Sequence, residues 1–378
     1  MTSTLQELTA RLVSIDSTNP SLSPDAAGEQ EIAAFVADWC RDRSLDVRIV
    51  DADGRPSVVA VARGTGGGRA LILNGHLDTV GVDGMDDPFR PRVEAGRMYG
   101  RGAGDMKASV AAMMAALASA RSMNLRGDVV MTAVADEEAY SVGTTAVLDS
   151  GVTADAAIVT EPTDGDVLVA HKGFVWADVI TQGRAAHGSR PVDGIDAITK
   201  MGAFLQGLGN LQAELENQSG DPLLGTGSVH ASVIAGGREM SSYPATCRLG
   251  VERRTVPGET ARSVISELED IAERCRQADP DFKAAIDLTF ERRPFSIDAG
   301  HEIVELVREV AERTSGHRPR VAGSAGWMDA ALLSERSIPT VIYGPVGGGF
   351  HGDDEWVDVA SIETCAEVLA EVAKSFCA

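Results

Sequence analysis

The strongest constraint on this chain is a rhythm of short apolar runs alternating with helical stretches. Ser57–Ala62, Ala70–Leu73, Val129–Ala135 and Ala156–Val159 are each rich in Val, Ile, Leu and Ala and too short to be helices. An Ala-rich segment after Asp105 repeats at helical spacing, and two helical stripes open the chain, one through Leu5, Leu8 and Leu12, the other through Ile32, Phe35, Val36, Trp39 and Cys40. Strands alternating with helices bury a sheet between helical layers, so the expected fold class is α/β.

The rhythm breaks in the middle. Alternation through Phe174, Trp176, Asp178 and Ile180 reads as a strand, followed by a helix stripe through Ile198, Met201, Leu205, Leu208 and Leu211. Two strand-like runs follow at Ser228–Ala235 and Ala245–Val251, then a stripe through Val264, Ile265, Leu268, Ile271 and Cys275, then a run at Ala284–Phe290. The order β-α-β-β-α-β is that of the ferredoxin-like split unit. The α/β character returns at Ile303–Val310 and Thr340–Tyr343. The expected organisation is therefore a discontinuous α/β domain, 1–173 with 291–378, interrupted by an inserted unit at 174–290.

Charge narrows the partners. Lys and Arg number 34 against 56 Asp and Glu, a net charge of −22, which repels nucleic-acid phosphates and anionic lipid surfaces. No apolar run is long enough to cross a bilayer, and no basic stretch followed by an apolar one marks the N-terminus. Cys40, Cys247, Cys275, Cys365 and Cys377 are scattered, odd in number and never spaced C-x-x-C, which argues against a disulfide framework or a thiolate metal cage and for a reducing, cytoplasmic setting.

The residues that can do chemistry sit where the apolar runs end. Leu71–Val80 reads L-I-L-N-G-H-L-D-T-V, so His76 and Asp78, two residues apart, share one side of an extended chain. A carboxylate there can hold the second nitrogen of a metal-binding imidazole. Gly100–Lys107 reads G-R-G-A-G-D-M-K; a dinucleotide fingerprint fails on spacing, because its third Gly falls on Lys107 or Asp105. Val129–Ala135 runs into Asp136, Glu137 and Glu138, the run Ala156–Thr160 leads into Glu161, and the Gly-rich segment after Tyr343 carries His351. In open α/β sheets ligands bind outside the carboxyl ends of the strands. Two His and several carboxylates without thiolates suit zinc, manganese or cobalt, and a bridging carboxylate implies two ions roughly 3.5–4 Å apart. A serine hydrolase elbow at Ala322–Gly326 lacks the first glycine of the motif.

Taken together, G-H-L-D-T-V at Gly75–Val80, G-R-G-A-G-D-M-K, D-E-E at 136–138, E-P at Glu161, A-H-G at Ala186–Gly188, R-R-T-V-P-G-E at Arg253–Glu259 and the closing His351 resemble the dinuclear metallohydrolases that include acetylornithine deacetylase, succinyl-diaminopimelate desuccinylase, carboxypeptidase G and aminoacylase. The resemblance spans nearly the whole chain and implies that 1–173 with 291–378 is a metal-binding catalytic domain with a central mixed sheet flanked by helices, and that the ferredoxin-like insert at 174–290 is a lid or dimerisation domain. It implies two divalent ions, zinc foremost with cobalt and manganese as alternatives. Asp105 would bridge them, His76 and Glu161 would complete one site, and Glu138 and His351 the other, with Asp78 orienting His76. Glu137 would be the general base toward a metal-bridging water, and His187 would stabilise the oxyanion, in its own subunit or across a homodimer. Arg254 would bind a substrate carboxylate. Where relatives carry Asn three residues before a Pro, this chain has Ser241 ahead of Pro244. The implied activity is removal of an acyl group from an N-acyl amino acid. Di-, tri- or carboxypeptidase action on the same scaffold is the alternative, and a non-catalytic binder is disfavoured because every ligand and the base are kept.

Overall fold

The computed structural model describes residues 2–23 and 25–378. By contacts the chain divides into two units. The first comprises Met1–Val169, Ile297–Ala322 and Met328–Ala378; the second comprises Ala170–Ser296 and Gly323–Trp327. The breaks at 169/170 and 296/297 lie a few residues outside the expected 174–290 segment, and Gly323–Trp327 groups with the second unit although the sequence pattern assigns it to the first.

In the first unit the strands lie in the order Asp46–Ala52, Arg55–Ala62, Val129–Val134, Leu71–His76, Ala156–Val159, Thr340–Ile342 and Val167–His171. Leu71–His76 runs parallel to both Val129–Val134 and Ala156–Val159, and Thr340–Ile342 runs parallel to Ala156–Val159. The flanking pairs, Arg55–Ala62 on Val129–Val134 and Thr340–Ile342 on Val167–His171, are antiparallel. The sheet is mixed. Every residue of the three central parallel strands at 71–76, 129–134 and 156–159 is buried, as expected when helices cover both faces. That double coverage explains why these runs read as continuous apolar blocks rather than as alternation.

Helix Ala108–Arg121 is apolar on nearly every side and packs against helix Val359–Phe376 within the main core. Its alanines let the two backbones approach closely, and an apolar circumference fits a helix buried all round. The short strands Arg92–Glu94, Arg97–Tyr99, Trp356–Asp358 and Gly347–Gly348 form a separate small sheet that brings the His351 loop beside the segment leading into Gly100.

The second unit is an antiparallel sheet ordered Ser228–Gly236, Thr246–Thr255, Gly173–Gln182, Ala284–Arg292, with helices Ala197–Glu216 and Ala261–Ala278. Its element order is the expected β-α-β-β-α-β. Alternate residues Ala177, Val179, Leu249 and Val251 pack with Met201, Phe204, Leu208, Leu268 and Ile271 from the two helices. Ile198, placed on the buried stripe by spacing, is instead exposed; Ala197, Phe204 and Leu215 complete the inward face. Among the described residues no helix is long and apolar enough to cross a membrane.

Candidate metal centre

Three parallel strands deliver the acids and the imidazole. Leu71–His76 ends on His76, Val129–Val134 runs into the turn holding Glu137 and Glu138, and Ala156–Val159 is followed two residues on by Glu161. At Gly75 a side chain has no room, since a Cβ would lie 2.6 Å from Met106 Cε and 2.8 Å from Met113 Cε. The backbone before His76 therefore lies flush against the segment that carries Asp105.

Two groups of ligand atoms result, His76–Asp105–Glu161 and Asp105–Glu138–His351, each with its atoms within 4.8 Å of one another. His76 Nε2 is 3.0 Å from Asp105 Oδ1 and 3.6 Å from Glu161 Oε1. His351 Nε2 is 3.3 Å from Asp105 Oδ2 and 3.1 Å from Glu138 Oε2. The two oxygens of Asp105 thus face different groups. The Asp105–Met106 peptide is cis.

Electrostatics follow from crowding. Burial alone pulls the His76 imidazole down, but Glu161 and Asp105 outweigh it and hold the ring well above its ordinary value. Hydrogen bonds donated to the Asp105 and Glu138 carboxylates push His351 up to about 10. Burial raises the Asp105 carboxyl, yet the two imidazoles overcome this and leave it lowered. Burial and the neighbouring Glu161 raise Glu137 well above the carboxylate range; burial and Asp105 raise Glu138; burial, then Asp105 against the opposing His76, raises Glu161. Such a concentration of acids favours bound cations. The donor set, imidazole nitrogens and carboxylate oxygens without sulfur, fits zinc, manganese or cobalt. Glu138 Oε1, buried with no hydrogen-bond partner among the described residues, is a spare ligand atom of the kind a cation would satisfy.

Asp78 is placed differently from the sequence expectation. His76 Nδ1 meets the backbone carbonyl of Asp78 at 2.9 Å, while the nearer carboxylate oxygen is 3.7 Å away. The carboxylate instead accepts the Glu137 and Glu138 backbone N–H groups, each at 3.1 Å, and the Asn19 side-chain amide at 2.7 Å. One residue therefore steadies the imidazole through its main chain and the acidic turn through its side chain.

Several supporting residues escaped sequence reasoning. Asn19 Nδ2 also reaches Asp136 Oδ1 at 3.1 Å, and Arg55 pairs with both Glu29 and Asp136, the latter at 2.9 Å. These contacts hold Asp136 at φ +68°, a left-handed conformation uncommon outside glycine. Asp329 is buried, accepts the Thr144 hydroxyl, and has its carboxyl raised to about 6, chiefly by burial. An Asn ahead of a Pro or an Asp opening a helix is too common a signal to have marked them.

The remaining candidates belong to the second unit. His187 is exposed and its Nδ1 lies 2.8 Å from the Ser189 hydroxyl. Ser241 is exposed, and its carbonyl accepts the Gly188 N–H at 2.7 Å, so it neighbours the His187 turn. Of the paired arginines, Arg253 is buried against Glu259 and Glu267 and is structural. Arg254 is one-third exposed, with Nε on Glu252 at 2.6 Å and its guanidinium 5.1 Å from the Phe174 ring centroid. Ser324, from the elbow-like segment, accepts the Gly326 N–H at 3.1 Å.

The sequence profile of peptidase family M20/M25/M40 matches residues 72–375. Acetylornithine deacetylase of Myxococcus xanthus is 33% identical over 395 residues, covering 100% of this chain and 99% of that protein. N-formyl-4-amino-5-aminomethyl-2-methylpyrimidine deformylase of Halalkalibacterium halodurans is 28% identical, covering 95% of this chain and 92% of the relative. Among solved structures, a dinuclear metal-binding M20 peptidase of Bacillus subtilis superposes with a TM-score of 0.78 at 18% identity, covering 100% of this chain and 98% of that one. A Staphylococcus aureus tripeptidase superposes with a TM-score of 0.82 at 21% identity, covering 100% and 99%. At these identities the structural matches speak to the fold.

Proposed function

Because the chain belongs to peptidase family M20/M25/M40, we propose that it is a metal-dependent hydrolase of a linear amide that removes the acyl group from an N-acyl amino acid. The observation that carries this reading is the pair of ligand groups sharing Asp105 at the carboxyl ends of three strands. Deacylating relatives at 33% and 28% identity support the amide class.

In this reading His76, Asp105 and Glu161 hold one divalent ion and Asp105, Glu138 and His351 the other, zinc being the expected metal and cobalt or manganese functional substitutes. When bound, the ions supply Lewis acidity toward the amide carbonyl and toward water. Glu137 accepts the proton of the attacking water and passes it to the departing nitrogen, so that water and amide become a carboxylic acid and an amine. Arg254, pinned at Nε and stacked near Phe174, presents the rest of its guanidinium to a substrate carboxylate. His187 donates to the oxyanion, and Ser241, beside its turn, stands where relatives carry an amide.

Two broader features accompany the reading. Strand Ser228–Gly236 pairs along one side with Thr246–Thr255, and residues 230–236 are exposed, Val233 and Ile234 at 68% and 54%; an open apolar edge of this kind supports a homodimer. Five free cysteines, four of them buried, support a cytoplasmic setting.

The test is amine release by protein stripped with a chelator and reloaded with Zn²⁺, Co²⁺ or Mn²⁺. The substrates are N-acetyl amino acids including acetylornithine, N-formyl and N-succinyl amino acids, and di- and tripeptides. Metal-restored release from an N-acyl amino acid is the expected result. Turnover confined to peptides would move the reading to the peptidase alternative, and turnover indifferent to metal would overturn it.

A further inference from the structure

Glu355 has no part in the reaction just described, yet it is 1% exposed and its carboxylate is fully engaged. Oε2 accepts Arg101 Nη1 at 2.7 Å and the Gly102 N–H at 3.0 Å; Oε1 accepts the Gly104 and Asp105 N–H groups, each at 2.9 Å. Three of the four donors are backbone N–H groups of the loop that ends on the shared ligand. The carbonyl of Glu355 also accepts the Gly100 N–H at 3.3 Å, and Arg101, equally buried, reaches the Gly81 carbonyl at 3.0 Å.

The loop is shaped to receive that anion. Gly100 and Gly102 have φ of +151° and +76°, which turn neighbouring N–H groups toward one point and make a small concave anion seat. Gly104 lies so close to the His351 loop that a Cβ would sit 2.7 Å from Phe350 Cε1 and 2.9 Å from the Trp356 carbonyl. Glu355 follows His351 by four residues, so the carboxylate joins the loop bearing Asp105 to the loop bearing His351.

We propose that Glu355 is a positioning residue, the internal anion on which the Gly100–Asp105 loop is built, so that Asp105 and the His351 loop are in register before any ion arrives. The proposal rests on the metal-centre reading above. A buried carboxylate with four donors is satisfied by the protein itself and needs no cation. The loop's backbone N–H groups would otherwise lie unpaired in a dry interior. A carboxylate that merely plugged the fold would affect stability and leave the affinity of the folded protein for metal unchanged.

Two measurements decide it. Hydrogen exchange on the chelator-stripped wild-type protein should show the Gly102, Gly104 and Asp105 amides protected to nearly the degree seen with Zn²⁺ bound. Free exchange in the stripped protein would mean that the ion builds the loop, and would refute the proposal. In Glu355→Gln the new amide must turn N–H groups against N–H groups. Zn²⁺ affinity, read by competition with a chromophoric chelator, should fall about 10- to 100-fold, the usual effect of losing a residue that orients a ligand, and the visible spectrum of the Co²⁺ form should change. A folded Glu355→Gln protein that binds two ions as tightly as wild type would also refute the proposal. Should that variant fail to fold, the exchange experiment on the wild type is decisive by itself. Failure of the wild type to bind two ions would instead overturn the proposed function.

Discussion

Asp78→Asn is the sharpest test of the geometry, because it changes one oxygen to nitrogen without changing shape. The carboxylate accepts three donors: Glu137 N–H on Oδ1, and Glu138 N–H with the Asn19 amide on Oδ2. An asparagine has one acceptor end. With its oxygen toward Glu138 and Asn19, its NH₂ faces the Glu137 N–H; turned round, it opposes the other two donors. The best orientation therefore loses one hydrogen bond to a charged acceptor, worth about 1.5–3 kcal/mol. At about 1.4 kcal/mol per factor of ten, shifting that cost onto the acidic turn should lower turnover or metal affinity roughly ten- to a hundredfold. The His76 contact, which uses the backbone carbonyl of Asp78, is expected to persist. Urea denaturation of the stripped protein gives the stability loss, and Zn²⁺ titration with steady-state kinetics gives the functional loss. An Asp78→Asn protein within about 0.5 kcal/mol of wild type, the scatter of ordinary surface changes, and with unchanged metal binding and turnover would show that the carboxylate does not hold the turn.

Glu137→Gln should retain both ions and lose turnover by about 10²–10⁴, the range for a single proton-transfer role; metal analysis beside kcat checks both halves, and undiminished turnover would remove Glu137 from the base position. His76→Ala should lose metal as well as activity, read by the same analysis. Asp329, raised from 3.8 to about 6 by burial, binds its proton in the folded chain across a window where the unfolded chain has lost it. Its contribution therefore falls as pH rises from about 4 to 6, by roughly 3 kcal/mol at 1.36 kcal/mol per unit, and Asp329→Asn should flatten the stability profile in that window. Val233→Asp on the exposed edge strand should reduce sedimentation mass from two chains to one; a wild type already monomeric would refute the dimer.

The legible part of this protein was what repeats or terminates locally. Leu71–His76 and Val129–Val134 are apolar throughout because both faces of the sheet are covered, so their ends, and with them His76 and the acidic turn, could be located from the residues alone. The β-α-β-β-α-β order was equally readable from alternation and helical stripes. Glu355, Asn19 and Asp329 were not, because their partners lie far away in sequence: Glu355 binds N–H groups some 250 positions earlier, and backbone donors leave no mark on residue identity. For Asp78 the sequence indicated proximity to His76 but not which of its oxygens did the holding. Ile198 failed because helical spacing admits adjacent stripes, and only the partner sheet selects one.

The short segment Gly323–Trp327 bears on any attempt to cut the protein down. Gly323 sits against Leu224, Ser324 accepts the Lys172 N–H at 3.1 Å, and the Trp327 indole N–H donates to the Arg293 carbonyl at 3.1 Å. Splicing out Ala170–Ser296 alone would strip those neighbours away and strand a tryptophan in water. A minimal metal-binding fragment therefore requires two excisions, and the boundary between the pieces follows packing rather than the linear order of the gene.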